Sequence, residues 1–393
     1  MKQYLVLSLF FLALTSARFV QAQDFAQTGD TGDQGERTKS FTVSKGGTIE
    51  VSVGVGDIRL VPWNKNEVYV KAIGIDEDEM DRLKMTQSGN TVRVSYRPRG
   101  GWSHGNVEFE ISLPEEFNTD ISTSGGDIEI SGTMNGKIKG STSGGEIKLK
   151  NIGGTVDMST SGGDVRVGDI SGDGELRTSG GDISIGKVNG ELDVNTSGGS
   201  ITVSSVGKSL RARTAGGDIE IGDVGGEASV STAGGNIEMG KVSGKASMST
   251  AGGDIVLKGA SGTVKASTSG GDVRLENISG SITASTAGGE VEAELNPASN
   301  SKSKLSSAGG VVKIAVPENA KVTIEATIRY DGWGFWGKKK DRYAVKSDFK
   351  AESYEKDDDS GEIRAVYTIN GGGARVELST SSADIEIRKM RAK

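Results

Sequence analysis

Between residues 120 and 316 the apolar positions repeat two short alternations inside every coil-sized segment. Counting from a threonine, position six is Ile or Val in all ten copies, from Ile128 to Val291. Position eight is also apolar, as in Ile130, Leu149, Val167, Ile185 and Leu257, and position seven between them is usually polar. Position eleven is usually apolar, as in Ile170, Val188, Val224 and Ile278. Positions fifteen and seventeen alternate again, as in Leu192 with Val194 and Val264 with Ala266. An alternation of period two predicts a strand with one face inward. Each segment is therefore predicted to hold two strands and two glycine-bearing corners.

The period is marked by a T-[SA]-G-G core that begins at Thr123, Thr142, Thr160, Thr178, Thr196, Thr214, Thr232, Thr250, Thr268 and Thr286. The first spacing is nineteen residues and the next eight are eighteen. A looser copy, Ser307-Ala308-Gly309-Gly310, follows after twenty-one. A fixed period of this kind signals stacked repeats, each too small to bury its apolar residues alone. The fold class is all-β, a parallel β-solenoid of about eighteen residues per coil. The reading is right-handed, with a triangular left-handed helix as the rival, and the paired alternations favour two main sheets. At ~4.8 Å per coil the regular part would form a rod of roughly 48 Å. The Gly-Gly pair is expected to supply backbone angles for a sharp corner. The threonine column is expected to form a hydroxyl ladder.

The flanks are β-rich but lack the period. KSFTVSKGGTIEVSVGVGDIRLVPW, NEVYVKAIGI, TVRVSYR and VEFEISLP precede the repeats. VVKIAVP, KVTIEATIRY, EIRAVYTI and ARVELSTSSADIEIRKM follow them. Ser52–Ile58 and Thr380–Ile385 read as worn coils, and DEDEMDRLKM as one short helix. The expected division is a signal peptide (1–22), a flexible linker (23–37), an N-terminal β-rich region and cap (38–119), regular repeats (120–316), and a C-terminal β-rich region and cap (317–393).

The first residues change the picture of where the chain works. Lys2 precedes an eleven-residue apolar run, Tyr4–Leu14, and Val20-Gln21-Ala22 is a small-residue cleavage site. That is the pattern of a secretory signal, too short to span a bilayer at ~20 residues. No later run is long enough for a transmembrane helix. Export to the periplasm, the outer surface or the medium is expected. The chain has no cysteine, so stacking rather than disulfides must hold an exported fold together. Lys plus Arg is 46 against 53 Asp plus Glu, which argues against a nucleic-acid partner. Glycine is 60 of 393 residues with no three-residue period, which excludes collagen.

With the T-S-G-G-D-I copies, the early VSVGVGDIRL and the closing GGGARVELSTSSADIEI in view, the chain resembles the bacterial "putative adhesin" family of domain-of-unknown-function proteins. The resemblance implies a secreted or envelope β-solenoid. It transfers no catalytic motif.

Candidate chemistry is sparse. Position five is acidic in eight coils, including Asp127, Asp164, Asp182, Asp218, Asp254 and Asp272. A calcium ladder is one reading of that column. The other is a turn in which the side chain accepts backbone N–H groups. No cofactor is expected. Two irregular loops group aromatic and basic residues: one holds Trp102 beside His104, the other Trp333, Phe335, Trp336, Lys338, Lys339 and Lys340. Such loops suit a glycan, an anionic lipid or a protein, or the rings plug the end of the solenoid. A catalytic cleft needs long loops and facing carboxylates, and eight successive spacings admit no insertion. The expected function is non-catalytic: an adhesin-like solenoid binding a surface, an envelope glycan or a protein. The alternative is an envelope scaffold that associates end to end. Capped ends would favour the first, and open matching end coils the second.

Overall fold

The computed structural model describes residues 36–99, 106–330, 342–357 and 359–390, with the backbone of 333–334 and 337–338. The predicted signal peptide and nearly all of the predicted linker lie outside the described residues.

The repeats form a parallel β-solenoid with two main sheets. Positions six to eleven make one strand, as in Ile183–Val188 and Ile201–Val206. Positions fifteen to eighteen make the other, as in Leu192–Asn195 and Leu210–Arg213. Register holds through successive copies: Ile147, Val165, Ile183, Ile201, Ile219 and Ile237 lie directly over one another in the first sheet, and a shift enters only later, between Leu275 and Ile278. In the second, Val156, Gly174, Leu192, Leu210, Ala228 and Ala246 do the same. A shift of one residue would turn every inward side chain outward, so burial enforces this register. Gly174 breaks the apolar column, and the Leu192 side chain closes the space: a Cβ on Gly174 would lie 3.0 Å from Leu192 Cδ1.

None of the repeat Gly-Gly pairs has a positive φ, so the expected conformational role is not the reason for them. Their reason is space. A Cβ on the second glycine would sit 2.0–2.3 Å from the carbonyl oxygen of the equivalent glycine in the preceding coil, at Gly145, Gly163, Gly181, Gly217 and Gly235 alike. The corner brings two backbones too close for any side chain.

The threonine column is buried, with 2–8% exposure from Thr123 to Thr286. Its hydroxyls bond to glycine backbone rather than to one another. Thr178 Oγ1 donates to Gly163 O in the preceding coil (2.9 Å) and accepts from its own coil's Gly181 N (3.3 Å). The pattern recurs at Thr196, Thr214, Thr232, Thr250 and Thr268. Each hydroxyl thus satisfies two buried backbone groups at the tightest corner.

Both ends depart from sequence order. The coil made by Gly47–Val53 and Asp57–Trp63 lies between strands 91–114 and 117–130, which are consecutive in the chain. At the other end, the coil made by Ala374–Thr380 and Ile385–Lys389 lies between strands 302–316 and 322–347. Each intercalated coil is an open C. Glu115 N donates to Trp63 O and Gly46 N to Glu116 O, so the crossing residues 115–116 fill the missing corner of the first. Met390 N donates to Val316 O and Ala374 N to Lys321 O, so residues 317–321 fill that of the second.

Antiparallel strands then close the stack. Glu67–Ile73 and Arg37–Thr42 extend one sheet beyond Glu108–Pro114. Lys84–Ser88 covers Thr91–Tyr96 through a Gly89-Asn90 turn, where Gly89 has φ +58°. At the far end Glu362–Ile369 and Ser353–Asp357 continue the second sheet. The outermost strands are mostly exposed and charged, a device that blunts sheet edges. The segment expected to be a short helix is a 3-10 helix, Glu77–Arg82, within the N-terminal cap.

Candidate binding surface

The acidic column at position five faces outward and stitches the coils together. Asp127 Oδ1 accepts Glu146 N (2.7 Å), Asp164 Oδ1 accepts Asp182 N (2.8 Å), and Asp182 Oδ1 accepts Ser200 N (2.7 Å). Asp218, Asp254 and Asp272 accept from Asn236, Asp272 and Glu290 in the same way. The bond runs to the next coil rather than within one turn. Ser200 and Asn236, which interrupt the acidic run, still supply the acceptor, to Asp218 N and Asp254 N. One oxygen of each calcium candidate is thereby taken. Among the described residues no group of three or more His, Asp or Glu is placed to hold a metal ion.

Of the aromatic candidates, Trp102, Phe335, Trp336, Lys339 and Lys340 lie outside the described residues, as does His104. Trp333 and Lys338 are described in backbone only: Trp333–Gly334 pairs antiparallel with Gly337–Lys338, Trp333 opposite Lys338. Beside this hairpin, the Tyr330 and Tyr343 rings meet at 6.2 Å and pack on the core.

A groove of about 700 Å³ runs along the solenoid where the second corner enters the second sheet. Its floor includes inward residues such as Val156, Leu192 and Leu210, and its walls are two columns of outward residues. One column is position fourteen, with Asp173, Glu191 and Glu227. The other is position sixteen, where strand pairing stacks Asp157 on Glu175, Glu175 on Asp193, and Asp193 on Arg211. Like charges directly opposite on neighbouring strands destabilise a sheet. Glu175 is relieved by an ion pair with Arg177. Asp157 and Asp193 have no ion-pair partner among the described residues. In sequence the groove leaves only a faint mark: acids of positions fourteen and sixteen recur at the coil period, but the acid that follows Gly-Gly at position five is more conspicuous.

Among the described residues, a strongly perturbed group lies in the N-terminal cap. The Tyr96 phenol is buried and donates to Glu79 Oε2 (2.9 Å). Burial, then the Glu79 hydrogen bond, push its pKa well above the ordinary tyrosine value. The Glu79 carboxyl is held low, first by the backbone N–H of Arg99 and then by the Tyr96 hydroxyl. These contacts pin the 3-10 helix to the end of the strand and have a structural role.

The matched family model, Toastrack DUF4097, covers residues 47–223 and again 207–332. The chain belongs to the Toastrack family. The two Toastrack matches overlap at 207–223, inside the regular repeats, and together begin at the intercalated N-terminal coil. Among solved structures, the chain is similar to a "putative adhesin" from Parabacteroides merdae, with 15% identity over 72% of this chain and 98% of that one and a TM-score of 0.28. It is also similar to a "putative lipid binding protein" from Parabacteroides distasonis, with 14% identity over 72% and 98% of the two chains and a TM-score of 0.24. A "putative cell adhesion protein" from Clostridium sporogenes matches at 10% identity over 90% and 100%, with a TM-score of 0.17. No curated protein matches the chain. No helix among the described residues is long and apolar enough to cross a membrane.

Proposed function

We propose that this Toastrack protein is an exported, non-catalytic, adhesin-like solenoid that holds an extended envelope partner along its side. The partner is a glycan or a protein segment that carries cationic groups. The observation that carries the reading is the groove wall of Asp157, Glu175 and Asp193, stacked in register against the interest of the sheet. A cation laid between the walls would relieve that repulsion. The capped ends support this over an end-to-end scaffold, because Glu67–Ile73, Lys84–Ser88 and Glu362–Ile369 each run antiparallel to the strand they cover. The N-terminal apolar segment supports export.

The test is a screen of envelope fractions, amine-bearing glycans and Lys/Arg-rich peptides with the chain from residue 23 onward. The triple variant Asp157→Asn, Glu175→Gln, Asp193→Asn is expected to lose at least about tenfold in affinity, since it removes several charge-assisted contacts. Wild-type binding should weaken with salt. Trp333→Ala with Trp336→Ala forms the second arm. Loss of binding in that arm alone would move the site to the aromatic hairpin and overturn the groove reading.

A further inference from the structure

The C-terminal coil is held by its slot, and hardly by the chain that leads into it. Ala374–Thr380 pairs with Lys302–Ser307 on one side and Val322–Arg329 on the other. Ile385–Lys389 pairs with Val312–Val316 and with Val345–Ser347. Val376, Leu378, Ile385 and Ile387 are all buried there. Lys389 Nζ adds an ion pair to Glu318 at 2.6 Å. Because the coil is an open C whose ends stop on either side of residues 317–321, no segment among the described residues passes through it.

The link that leads into it is a glycine turn, anchored where Asn370 Nδ2 donates to Glu318 O (2.9 Å) and Ala320 O (3.0 Å). Gly371, Gly372 and Gly373 carry φ of +80°, +76° and +155°. A Cβ on Gly371 would meet nothing within 4 Å. Three successive glycines can leave this turn for an extended path at little steric cost. The link must also reach around a strand. Ile369 and Ala374 flank Val322 on opposite sides, two strand spacings apart, which is ~9.6 Å.

We propose that coil 374–390 is an exchangeable element, and that the partner it fits is the same slot in a second copy of this chain. Each contact made in one molecule is reproduced between two, so exchange changes the link and little else. The slot reads a defined peptide pattern: alternating apolar residues, a Thr-led corner, and an acid at position five. Asp384 Oδ1 accepts Ala344 N (2.9 Å) in the outer cap, as column acids accept from the next coil.

The test uses the cysteine-free chain with Lys304→Cys and Glu377→Cys, outward residues paired directly across the slot. Their Cα atoms, one strand spacing apart at ~4.8 Å, lie within disulfide range. With the link intact and the protein dilute, oxidation should give an intrachain bond and a monomeric mass. Deleting Gly371–Gly373 leaves two Cα steps, at most ~7.6 Å, too short to reach the slot in the same molecule. That variant should double in mass by light scattering, keep its β content by circular dichroism, and run as an interchain-linked dimer. A folded monomer, or a dimer without the interchain bond, overturns the proposal. If the deletion aggregates, the intact-link protein decides: concentrating it before oxidation should raise the interchain fraction. Intrachain bonds alone at every concentration would equally overturn it.

Discussion

Replacing Gly217 by Ala separates two explanations of the Gly-Gly corner. Gly217 does not have a positive φ. On conformational grounds alone, Gly→Ala at such a site stabilises by about 0.4–1 kcal/mol, because the unfolded chain loses freedom. The structure predicts the opposite sign. The new Cβ would lie 2.3 Å from Gly199 O, 2.4 Å from Gly199 C and 2.6 Å from Ser200 N, all backbone atoms. Gly199 O is also the acceptor of the Thr214 hydroxyl at 2.8 Å. Parting the coils costs about 1–3 kcal/mol as overpacking, and losing the buried hydroxyl bond about 1 kcal/mol more. A total of about 2–4 kcal/mol corresponds to a loss of roughly 30- to 900-fold in amide protection if opening stays local. Native-state hydrogen exchange by mass spectrometry over 196–231 reads this directly. Gly125→Ala is the control, since it has no positive φ and a Cβ there meets nothing within 4 Å, and it should leave stability unchanged or raise it by up to about 1 kcal/mol. Unchanged or increased protection in Gly217→Ala would refute the close-contact argument.

Three further outcomes follow from the same geometry. Thr250→Val should destabilise by about 1–3 kcal/mol in urea unfolding, since it strands Gly235 O and Gly253 N, while Thr250→Ser should recover most of the loss. Asp254→Asn should be nearly neutral and Asp254→Ala should cost about 1 kcal/mol, because Asn236 already serves as the acceptor in the same column; thermal melts of the set check this. The Glu79 carboxyl is depressed in the folded state, so its stabilising share is present above its unfolded value near 4.5 and is lost as pH falls through its folded value. Acid titration followed by Tyr and Trp fluorescence should therefore show Glu79→Gln flattening the fall in stability below that pH, with little change in slope above it.

The repeated region could be read from sequence because every copy solves the same packing problem. Inward Ile and Val at positions six, eight, fifteen and seventeen declare two strands, and the constant period declares their register. Three things escaped. Spacing shows that Gly163 and Gly181 recur, but not whether shape or conformation demands them; only the distance to the coil below decides. The worn copies at Ser52–Ile58 and Thr380–Ile385 are visible as patterns, yet the full coils around them, Gly47–Trp63 and Ala374–Lys389, and their place inside the stack are not. Stacking order and chain order diverge there, as when Thr123 bonds to Gly56 O and Thr380 to Gly310 O. Position five is conspicuous because its acid follows Gly-Gly, whereas the groove forms from columns fourteen and sixteen, whose successive members lie eighteen residues apart and line up only through coiling.

The side-chain ladders give the rod a direction. Every repeat threonine donates toward the preceding coil, and every aspartate of the position-five column receives a backbone N–H from the following one. All these donors point toward the N-terminal end, and none is balanced by a reverse partner in its own column. The molecule therefore presents a vectorial track rather than a symmetric bar. A polymer with unlike ends, such as a peptide or a glycan chain, meets a different surface when laid along it in one sense than in the other. An array of such tracks fixed by one end would orient what it holds.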